Sequence, residues 1–478
     1  MAALMIILLL IVLFIALILY RTLRFLPKES VKPDSGEVTF DAEKSIEALR
    51  KLIQCRTISY YDNSLEDDSE FLKLESFLSE LYPNVIKTCE RINLHKRAIL
   101  LRWKGKSSDK PSVMMAHYDV VPVEEDNWQK APFEGIIEEG VLWGRGTLDT
   151  KVTFGGVLGA ADTLIASGFT PEQDIYLAFS GGEEVSGESA IKIVEYFDKN
   201  NIKPEIVVDE GGAVVKDVFP GVKEKCGLIG IAEKGMMNVS FSIESGGGHA
   251  SAPKPHTPIG ILSKACCDME NNPFPMHITK PVREMFDTLG RHSSFIYRMI
   301  FANIDIFKFV LDMLCKKIGG ELNALLRTTV AFTQAKGSKA PNVIPPTAVF
   351  TANLRLNPMD TVESAEKRIK DTIKNENVNV TVMDGVNPSP ISETGCDAWN
   401  KVASAVAGTW EGCIVSPYLM VQCSDSRHYG RISNHVYRFS AMELTSEERA
   451  SIHGNNERIK TENIGKAVEF YIRLLRQC

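Results

Sequence analysis

The chain has 478 residues, of which 44% are hydrophobic and 24% are charged, and its formal net charge is −7. These fractions are close to the averages for folded globular proteins, so they argue against a disordered chain or a multi-span membrane protein, and the length favours two or more domains. The negative charge comes without a long basic run, which argues against nucleic acid as a partner and favours a small-molecule substrate. Ten cysteines lie without a CxxC pair or a regular framework, so they support neither a thiolate zinc site nor a disulfide scaffold.

The first predicted element is an apolar N-terminal helix. Every residue from Ala2 to Tyr20 is apolar or aromatic, and such a run is just long enough to cross a membrane core of about 30 Å at about 1.5 Å per residue. A cleavable signal peptide would have a basic start and small residues at the cut, and neither is clear here. We predict that residues 1–25 form an uncleaved single-pass membrane anchor, with secretion after signal cleavage as the alternative.

Two features disagree about the side of the membrane on which the body lies. Arg21, Arg24 and Lys28 follow the apolar run, and the positive-inside rule would then place the body in the cytosol. The sequons that begin at Asn238 and Asn379 could be glycosylated only in the lumen or outside the cell, although ordinary polar residues on strands would also explain them. We predict a lumenal or extracellular body, and the orientation stays open.

After a linker to about residue 36, short apolar runs alternate with helical patterns, which is typical of a parallel sheet. The predicted strands and helices of this part are strands Ser112–Ala116, Ile175–Phe179 and Ile206–Val208 and helices Phe154–Ser167 and Ser189–Lys199. In such sheets ligands bind beyond the carboxyl ends of the strands, and here each strand is followed by acidic residues or histidine. We assign residues 36–233 and 386–478 to this α/β catalytic domain.

Residues 234–385, called the inserted unit below, follow a different pattern. Its predicted elements have the order β-α-β-β-α-β, with bounds Met237–Glu244, Pro258–Glu270, Arg327–Thr333, Thr347–Leu356, Thr361–Lys374 and Val378–Met383. This order predicts an α+β ferredoxin-like unit, interrupted by a helical insertion at residues 271–326. Within the insertion, Phe295–Leu314 contains four charged residues, so we predict an amphipathic surface helix rather than a second membrane span.

Candidate catalytic residues follow the predicted strands. His117 and Asp119 lie two residues apart, so in an extended segment both side chains point the same way. Asp119 can then orient the ring of His117, which is the usual arrangement behind a zinc-ligating histidine. A capped core histidine with a nearby surface acid is the alternative.

Three further acids come next along the chain. Asp149 stands in the segment WGRGTLDTK at the start of a predicted helix, where a plain N-cap aspartate is the alternative. Glu183 and Glu184 are adjacent at the end of a predicted strand. Two unpaired carboxylates together are costly, and a dication relieves the repulsion, which leaves one Glu as a ligand and the other free for acid/base work.

The last candidates are Asp209 and Glu210 in VVDEGG and His453 in SIHGNNERI. Successive residues on a strand face opposite ways, so only one of Asp209 and Glu210 should reach a metal. Carboxylates with two imidazoles and no thiolate suit zinc and, less exclusively, cobalt or manganese.

Together these motifs resemble the family of co-catalytic zinc exopeptidases that includes aminoacylase, carnosinase and carboxypeptidase S. The resemblance runs from about residue 40 to the C-terminus, with five separated motifs in the family's order. Within the family, the segments AHYDVVP, GRGTLDTK, VDEGG, HASAP, NVIPP, SDSR and IHGNNE are most similar to members that synthesise and hydrolyse N-fatty-acyl amino acids. The resemblance implies a zinc-peptidase catalytic domain with a mixed, mainly parallel sheet, an inserted lid or dimerisation domain, and a homodimer as an open outcome.

The resemblance also implies a role for each residue. It implies two zinc ions per subunit with five ligands, namely Asp149 as the bridge, His117 and Glu210 on one ion, and Glu184 and His453 on the other. Glu183 would then be the general base, with Asp119 as the catalytic partner of His117. The choice of Glu210 over Asp209 rests on the match to the family. Gly182 and Thr150 differ from residues that relatives often carry, but they remove neither a ligand nor the base.

Four residues are predicted to bind substrate. His249 matches the family's lid histidine, which stabilises the tetrahedral oxygen and in several relatives comes from the neighbouring subunit; a loop histidine in a glycine-rich turn is the alternative. Arg427 is predicted to hold the substrate's free carboxylate, because guanidinium matches that planar anion in a bidentate fork. Asn342 and Arg355 are further candidate contacts, for which surface or structural roles compete.

We therefore predict a di-zinc amidohydrolase that acts on N-acyl amino acids, in particular N-fatty-acyl amino acids, by hydrolysis and by reverse condensation. The apolar insertion would accept the acyl chain. A carboxypeptidase or dipeptidase of the carboxypeptidase S type is the alternative, with an identical ligand set. A catalytically silent membrane-bound binding protein is a remote alternative, because the ligands and the base are all present.

Overall fold

The computed structural model describes all 478 residues. The strands are β1 (Glu90–Asn93), β2 (Ala98–Trp103), β3 (Ser107–His117), β4 (Ile136–Glu138), β5 (Val141–Trp143), β6 (Gln173–Ser180), β7 (Ile206–Val215), β8 (Cys226–Glu233), β9 (Gly235–Glu244), β10 (Gly248–His249), β11 (Thr329–Lys336), β12 (Val343–Ile344), β13 (Thr347–Leu356), β14 (Asn379–Val386), β15 (Ile414–Met420), β16 (Val436–Leu444) and β17 (Arg458–Lys460). The helices are α1 (Ala2–Arg24), α2 (Ala42–Ile53), α3 (Asp68–Leu81), α4 (Pro83–Thr88), α5 (Lys151–Ala166), α6 (Ser189–Lys199), α7 (Pro258–Asn271), α8 (Lys280–His292), α9 (Phe295–Ala302), α10 (Ile304–Ile318), α11 (Gly320–Leu326), α12 (Val362–Ile373), α13 (Asp397–Thr409), α14 (Ser446–Ser451) and α15 (Thr461–Leu475).

An eight-stranded sheet forms the centre of the molecule, in the order β1-β2-β6-β3-β7-β16-β8-β15. Strand β3 is parallel to β6 and β7, β7 is parallel to β16, and β8 is parallel to β15. The pairs β1–β2, β2–β6 and β8–β16 are antiparallel. The predicted mixed, mainly parallel α/β sheet is therefore confirmed, and the strands and helices predicted between residues 112 and 208 coincide with β3, α5, β6, α6 and β7.

Helices cover both faces of this sheet, which explains why its central strands are apolar on both sides. On one face, α5 packs against α15 and α2. Helices α5 and α15 approach closely at Gly156, where an added Cβ would lie only 3.1 Å from the Cβ of Ala467. On the other face, Phe197 of α6 packs against Tyr176 of β6 with ring centroids 4.9 Å apart. Packing on both faces thus buries the sheet and positions its strand ends.

The inserted unit contains a second, antiparallel sheet of four strands in the order β11-β13-β9-β14. Buried and half-buried residues alternate along β9, and α7 and α12 pack against the sheet. Its core includes Val239, Phe241, Leu262, Leu354 and Ile369 and is separate from the core of the large sheet. The element order β-α-β-β-α-β agrees with the sequence, whereas the domain boundaries and the role as a lid remain predictions.

The helical insertion differs from its prediction. Instead of one amphipathic helix over Phe295–Leu314, α9 ends at Ala302 and α10 begins at Ile304. The break lies at Asn303, whose side-chain amide donates a hydrogen bond of 2.9 Å to the carbonyl of Met299. Asparagine favours helix ends because its side chain competes for backbone hydrogen bonds, so a polar residue inside an apolar run ended the helix.

Helix α1 is long and apolar enough to cross a membrane, with a mean hydropathy of 3.5 over its best window. Its residues are exposed or half-exposed except Thr22, and near its C-terminal end it packs on α9. An anchor and a signal sequence both fit this helix.

Candidate active site

The acids and histidines singled out in the sequence meet at one edge of the large sheet. His117 is the last residue of β3, and Glu183 begins a short 3-10 turn after β6. Strand β7 pairs with β3 only through Val208, so it leaves β3 just before Asp209 and Glu210. These two acids therefore lie within β7, which continues to Val215, rather than at its end as the sequence suggested. The parting of the strands opens the edge at which the side chains converge.

His117 contacts two carboxylates. Its Nε2 atom lies 3.0 Å from Oδ1 of Asp149 and 3.3 Å from Oε1 of Glu210. Its Nδ1 atom lies 3.0 Å from the backbone carbonyl of Asp119 and 3.5 Å from an oxygen of the Asp119 carboxylate. Because a carbonyl can only accept, Nδ1 carries a proton, so in the neutral ring Nε2 is the atom that can act as a ligand to a metal.

His453 closes the site from the other side of Asp149. Its Nε2 atom lies 3.0 Å from Oδ2 of Asp149 and 3.1 Å from Oε2 of Glu184. The His453 side chain is 52% exposed, whereas that of His117 is 1% exposed. The cluster is therefore open to solvent on the side of His453, where a substrate can enter.

The positions of Glu183 and Glu184 are fixed by hydrogen bonds to Asp119 and by the small size of Gly181 before them. The carboxylate of Asp119 accepts hydrogen bonds from the backbone amides of Glu183 and Glu184, at 3.1 and 3.2 Å. A Cβ at Gly181 would lie 2.7 Å from the ring of Tyr118, so only glycine lets this turn approach so closely. The Asp119 carboxylate thus orients the paired glutamates, while its backbone carbonyl orients His117.

Burial and mutual repulsion raise the pKa values of the glutamates. Burial, with the charge of Asp149, raises the pKa of both Glu184 and Glu210 to about 7. Burial, with the charges of Asp425, Glu210 and Glu184, raises the pKa of Glu183 well above its ordinary value. These carboxyls tend to hold protons at neutral pH unless a cation compensates their charge.

The imidazoles respond in the opposite way. Burial alone would lower the pKa of His117, but the charge of Glu210 and hydrogen bonds to neighbouring acids raise it well above its usual range. Hydrogen bonds to Asp149 and Glu184 raise the pKa of His453 to about 10. Burial opposes ionisation of Asp149, yet the hydrogen bonds from both histidines hold its pKa below its ordinary value. Asp149 is therefore the permanent anion between two histidines.

Asp209 and Glu210 face opposite sides of β7, as the alternation of a strand requires. Asp209 is 2% exposed, and its carboxylate accepts a hydrogen bond of 3.0 Å from the backbone amide of Ser426. Of the two acids, Glu210 is the one that reaches His117. The hydrogen bond to Ser426 lets Asp209 support the segment that carries Arg427. Burial and the nearby charge of Asp425 raise the pKa of Asp209 to about 6.

The substrate candidates lie in two places. His249 is exposed in the two-stranded ribbon of β10 and β12, with Nδ1 2.7 Å from the hydroxyl of Ser251. Asn342 adjoins it, because its carbonyl accepts a hydrogen bond of 3.0 Å from the amide of Ala250. Neither residue hydrogen-bonds to the acid and histidine cluster.

Arg427 lies beside the cluster. Its Nη2 atom is 3.3 Å from the hydroxyl of Ser186, three residues after Glu183, and its Nε atom is buried without a hydrogen-bond partner. Arg355 lies nearby, with Nη1 3.6 Å from the sulfur of Cys423. The structure thus brings Arg427 to the turn of the paired glutamates and places Arg355 against the segment that carries Arg427.

Sequence reasoning missed the ion pair between Glu457 and Arg145. The two side chains are 0% and 2% exposed, and Glu457 Oε2 lies 2.6 Å from Nη1 of Arg145. The carboxylate also accepts hydrogen bonds from the backbone amides of Leu148 and Asp149, at 2.7 and 3.2 Å. Both residues stand inside conspicuous motifs, GRGTLDTK and IHGNNE, but only their pairing in space shows that one motif holds the other.

The donor set fits divalent metal ions. Two groups of residues could each hold a metal ion, because the donor atoms within each group lie within 4.8 Å of one another. One group is His117, Asp149 and Glu184, and the other is His117, Glu183 and Glu210. Oε1 of Glu184 is buried without a hydrogen-bond partner, and an orphaned carboxylate oxygen of this kind is costly without a cation. Carboxylates combined with imidazoles suit zinc.

Residues 113–477 match the sequence profile of peptidase family M20/M25/M40. The Xenopus tropicalis protein named "N-fatty-acyl-amino acid synthase/hydrolase PM20D1" is 33% identical, over 97% of this chain and 93% of that protein. The Dictyostelium discoideum protein named "Probable carboxypeptidase S-like 2" is 32% identical, over 96% of this chain and 91% of that protein. The crystal structure of the M20 family metallo-carboxypeptidase Sso-CP2 from Sulfolobus solfataricus superposes with a TM-score of 0.66 at 18% identity, covering 90% of this chain and 98% of that one.

Fold and site together define a metal-dependent hydrolase of amide or peptide bonds, whose substrates are small molecules. The chain belongs to peptidase family M20/M25/M40, because the profile covers most of its length. The predicted zinc-peptidase fold and the predicted class of enzyme are confirmed.

Proposed function

We propose that the site binds two zinc ions and that Asp149 would be the ligand that both ions share. The observation that carries this proposal is the position of the Asp149 carboxylate between two histidines, with Oδ1 3.0 Å from His117 and Oδ2 3.0 Å from His453. Glu210 adjoins His117, and Glu184 adjoins His453. Each imidazole thus adjoins one carboxylate that the other does not, and both imidazoles adjoin Asp149. This is the set of donor atoms that two neighbouring ions would require.

Zinc ions held there would lower the pKa of a water molecule and polarise the scissile carbonyl. Glu183 is the proton carrier in our proposal, because its carboxyl adjoins His117 and Glu210 in the cluster and burial raises its pKa, the direction that favours proton uptake by a carboxylate. It takes a proton from the attacking water, whose oxygen bonds to the carbonyl carbon. When the C–N bond breaks, Glu183 gives the proton to the departing nitrogen, and the products are a carboxylic acid and an amine.

Arg427 is proposed to bind the free carboxylate of the substrate, because it lies beside the turn of Glu183 and its Nε atom has no partner. A guanidinium offers that carboxylate two parallel hydrogen bonds. His249 and Asn342 would complete the site when the inserted unit approaches it, or from a second subunit of a homodimer. Arg355 would act as an auxiliary substrate contact.

We propose N-fatty-acyl amino acids as the substrates, hydrolysed to fatty acid and amino acid or formed from them. The support is the similarity to a protein named for that activity and the apolar insertion at residues 271–326. The second candidate is a carboxypeptidase, favoured by the similarity to a carboxypeptidase S-like protein. Both reactions require a free carboxylate beside the scissile bond.

The test is a product assay with the zinc-loaded full-length protein, offered oleoyl-phenylalanine, acetyl-phenylalanine and a Gly-Leu dipeptide in parallel. We expect phenylalanine to be released mainly from oleoyl-phenylalanine. In the reverse direction we expect oleoyl-phenylalanine to form from oleate and phenylalanine. Cleavage mainly of the dipeptide would establish the carboxypeptidase instead. Equal or faster cleavage of the acetyl compound would refute the preference for lipid chains, and a Glu183→Gln preparation controls for contaminating hydrolases.

For the whole chain we propose a single-pass anchor at residues 1–25, with the body in the lumen or outside the cell. Residues 36–233 and 386–478 would form the catalytic domain, and residues 234–385 a lid that also carries the dimer contact. The alternative for the N-terminus is cleavage and secretion.

A further inference from the structure

The helical insertion exposes more apolar surface than a water-facing element of a globular protein normally does. On α9, Ile296 is 66% exposed; on α10, Phe309 is 75% and Met313 61% exposed. Scattered apolar residues on a surface need no explanation, but a contiguous group marks a binding or membrane surface. We call this group, with Phe295, Tyr297, Val310 and Leu314, the apolar face of α9 and α10.

Helix α10 is apolar on two opposite sides. Ile304, Leu311 and Cys315 are buried against the body. Phe309 and Met313, one helical turn apart, project from the other side, since residues three or four apart share a face of a helix. The residues of the outer side are exposed, so this side has no structural partner within this chain.

The insertion is tied directly to the apolar N-terminal helix. The side-chain amide of Asn303 lies 3.3 Å from the carbonyl of Ile18 and 3.3 Å from the hydroxyl of Thr22. Arg291 of α8 donates a hydrogen bond of 2.9 Å to the carbonyl of Leu26, just after α1. The turn between α9 and α10 is therefore held at the C-terminal end of α1.

These contacts set the depth of the insertion relative to a bilayer. The apolar run from Ala2 to Tyr20 is roughly 27 Å long at about 1.5 Å per residue, close to the thickness of a hydrocarbon core. Ile18 lies inside that run, and Arg24 follows only roughly 9 Å further along the axis. Asn303 contacts Ile18, so wherever α1 crosses the membrane the turn between α9 and α10 lies at the boundary of the acyl chains. This holds for either orientation, because the body follows the C-terminal end of α1 in both.

The charges around the apolar face fit the same position. The acids of α10 are paired, Asp305 with Arg283 at 3.2 Å and Asp312 with Lys316 at 2.8 Å. Lys308 and Lys317 have no acidic partner. Long basic side chains beside an apolar face can reach lipid headgroups while their stems stay in the apolar layer.

We propose that α9 and α10 lie in the membrane interface beside α1, with their apolar face among the upper acyl chains of the bilayer. The proposal rests on the proposed anchor and not on the proposed substrate. The body would then be held against the membrane at a second place and could not swing freely on the linker that follows α1. An active site fixed at the lipid surface can receive an amphiphilic substrate without its passing through bulk water.

The test is photo-crosslinking in the full-length protein reconstituted into phospholipid nanodiscs. p-Benzoyl-phenylalanine replaces Phe309 or, in a second variant, Met313, and lipid adducts are measured by mass spectrometry. Leu9 of α1 is the positive control for the anchor. Leu72 of α3 is the matched negative control, because it is 65% exposed and α3 packs against α2 and α4 rather than the insertion. Unchanged thermal unfolding shows that each variant is folded.

We expect lipid adducts at positions 9, 309 and 313 and none at position 72. Adducts at position 9 alone would overturn the proposal while leaving the anchor intact. Absence of adducts at all positions would overturn the anchor as well. Crosslinks from 309 or 313 to a second copy of the chain would show that the apolar face is a protein interface and would also overturn the proposal.

Discussion

The carboxylate of Glu457 accepts a hydrogen bond from the backbone amide of Asp149, 308 residues earlier in the chain, at 3.2 Å. The same carboxylate forms a buried ion pair of 2.6 Å with Arg145. Glu457 thus positions the loop that presents the central carboxylate of the site, and it belongs to the segment that also supplies His453.

Replacing Glu457 by Gln should therefore damage stability and metal binding together. The variant leaves Arg145 buried without a countercharge, and breaking a buried pair costs about 3 to 5 kcal/mol. Loss of a partner behind a metal ligand lowers metal affinity by about 10- to 100-fold. Urea unfolding and zinc titration measure the two effects. Glu447→Gln is the matched control, since Glu447 is an 80% exposed acid near the same segment, and an equal effect of both variants would refute the positioning role.

Replacing Glu183 by Gln should remove the proton carrier without removing a ligand. We expect kcat to fall by at least about 10²-fold, the usual contribution of general acid–base catalysis, with two zinc ions still bound. Turnover and metal content by mass spectrometry check this. Glu188→Gln, at an exposed acid five residues on, should change neither. Loss of zinc from the Glu183 variant would reassign this residue to the metal ligands.

Removing zinc should make the protein's stability fall as pH rises. The pKa values of Glu184 and Glu210 are raised to about 7 by burial first and by the charge of Asp149. Between about pH 4.5 and 7 the native metal-free protein therefore binds more protons than the unfolded chain, and its free energy of unfolding decreases with pH. The pKa of His453, raised to about 10, has the same sign, and its stabilisation is present below about pH 6.5 and is lost as pH rises through 10.

Zinc replaces these protons, so the gap in Tm between zinc-loaded and chelated protein should widen from pH 5 to pH 7.5. The lowered pKa of Asp149 contributes a constant stabilisation from pH 5 to pH 7.5, because Asp149 is ionised across this range in both the folded and the unfolded protein. Calorimetry at several pH values gives the gap. A gap that is constant or narrows with pH would contradict the account of the acid cluster.

Replacing Arg427 by Lys should weaken substrate binding. A hydrogen bond to a charged group contributes about 1.5 to 3 kcal/mol, so we expect KM for an N-acyl amino acid to rise roughly 10- to 100-fold. The methyl ester of the same substrate should be poor for the unaltered enzyme and no poorer for the variant. Arg431→Lys is the control at an exposed arginine of the same 3-10 segment. A rise in KM for ester and acid alike would exclude a carboxylate contact.

The two sequons should differ in glycosylation if the body is lumenal. Asn379 is exposed at the start of β14, an edge strand. The side-chain amide of Asn238 on β9 donates a hydrogen bond of 2.9 Å to Asp384, and its Oδ1 accepts one of 2.8 Å from Asn353. We expect Asn379→Gln to remove one glycan from the secretory-pathway protein and Asn238→Gln to remove none. Absence of glycan at both sites would favour a cytosolic body.

Much of the fold was accessible from the sequence because its signals are local. The apolar runs of β3, β6 and β7 and the alternation of β9 each lie within a few residues of chain. The same is true of acids that follow a strand within a few residues, such as Glu183 and Glu184 after β6. The break at Asn303 was missed because the apolar pattern continues across it, and only the bonds of its amide to Met299 and α1 show why the helix ends there.

The sequence by itself determined the order of elements, the chemistry of the donors and the presence of an apolar N-terminal helix, because periodicity and residue type are properties of neighbouring residues. Only the tertiary structure decided that Glu210 rather than Asp209 adjoins His117, that Glu457 pairs with Arg145, and that the turn at Asn303 contacts α1. Each of these depends on contacts between residues far apart in the chain. Such contacts follow from how the strands part and how the helices pack, and no short stretch of sequence contains them.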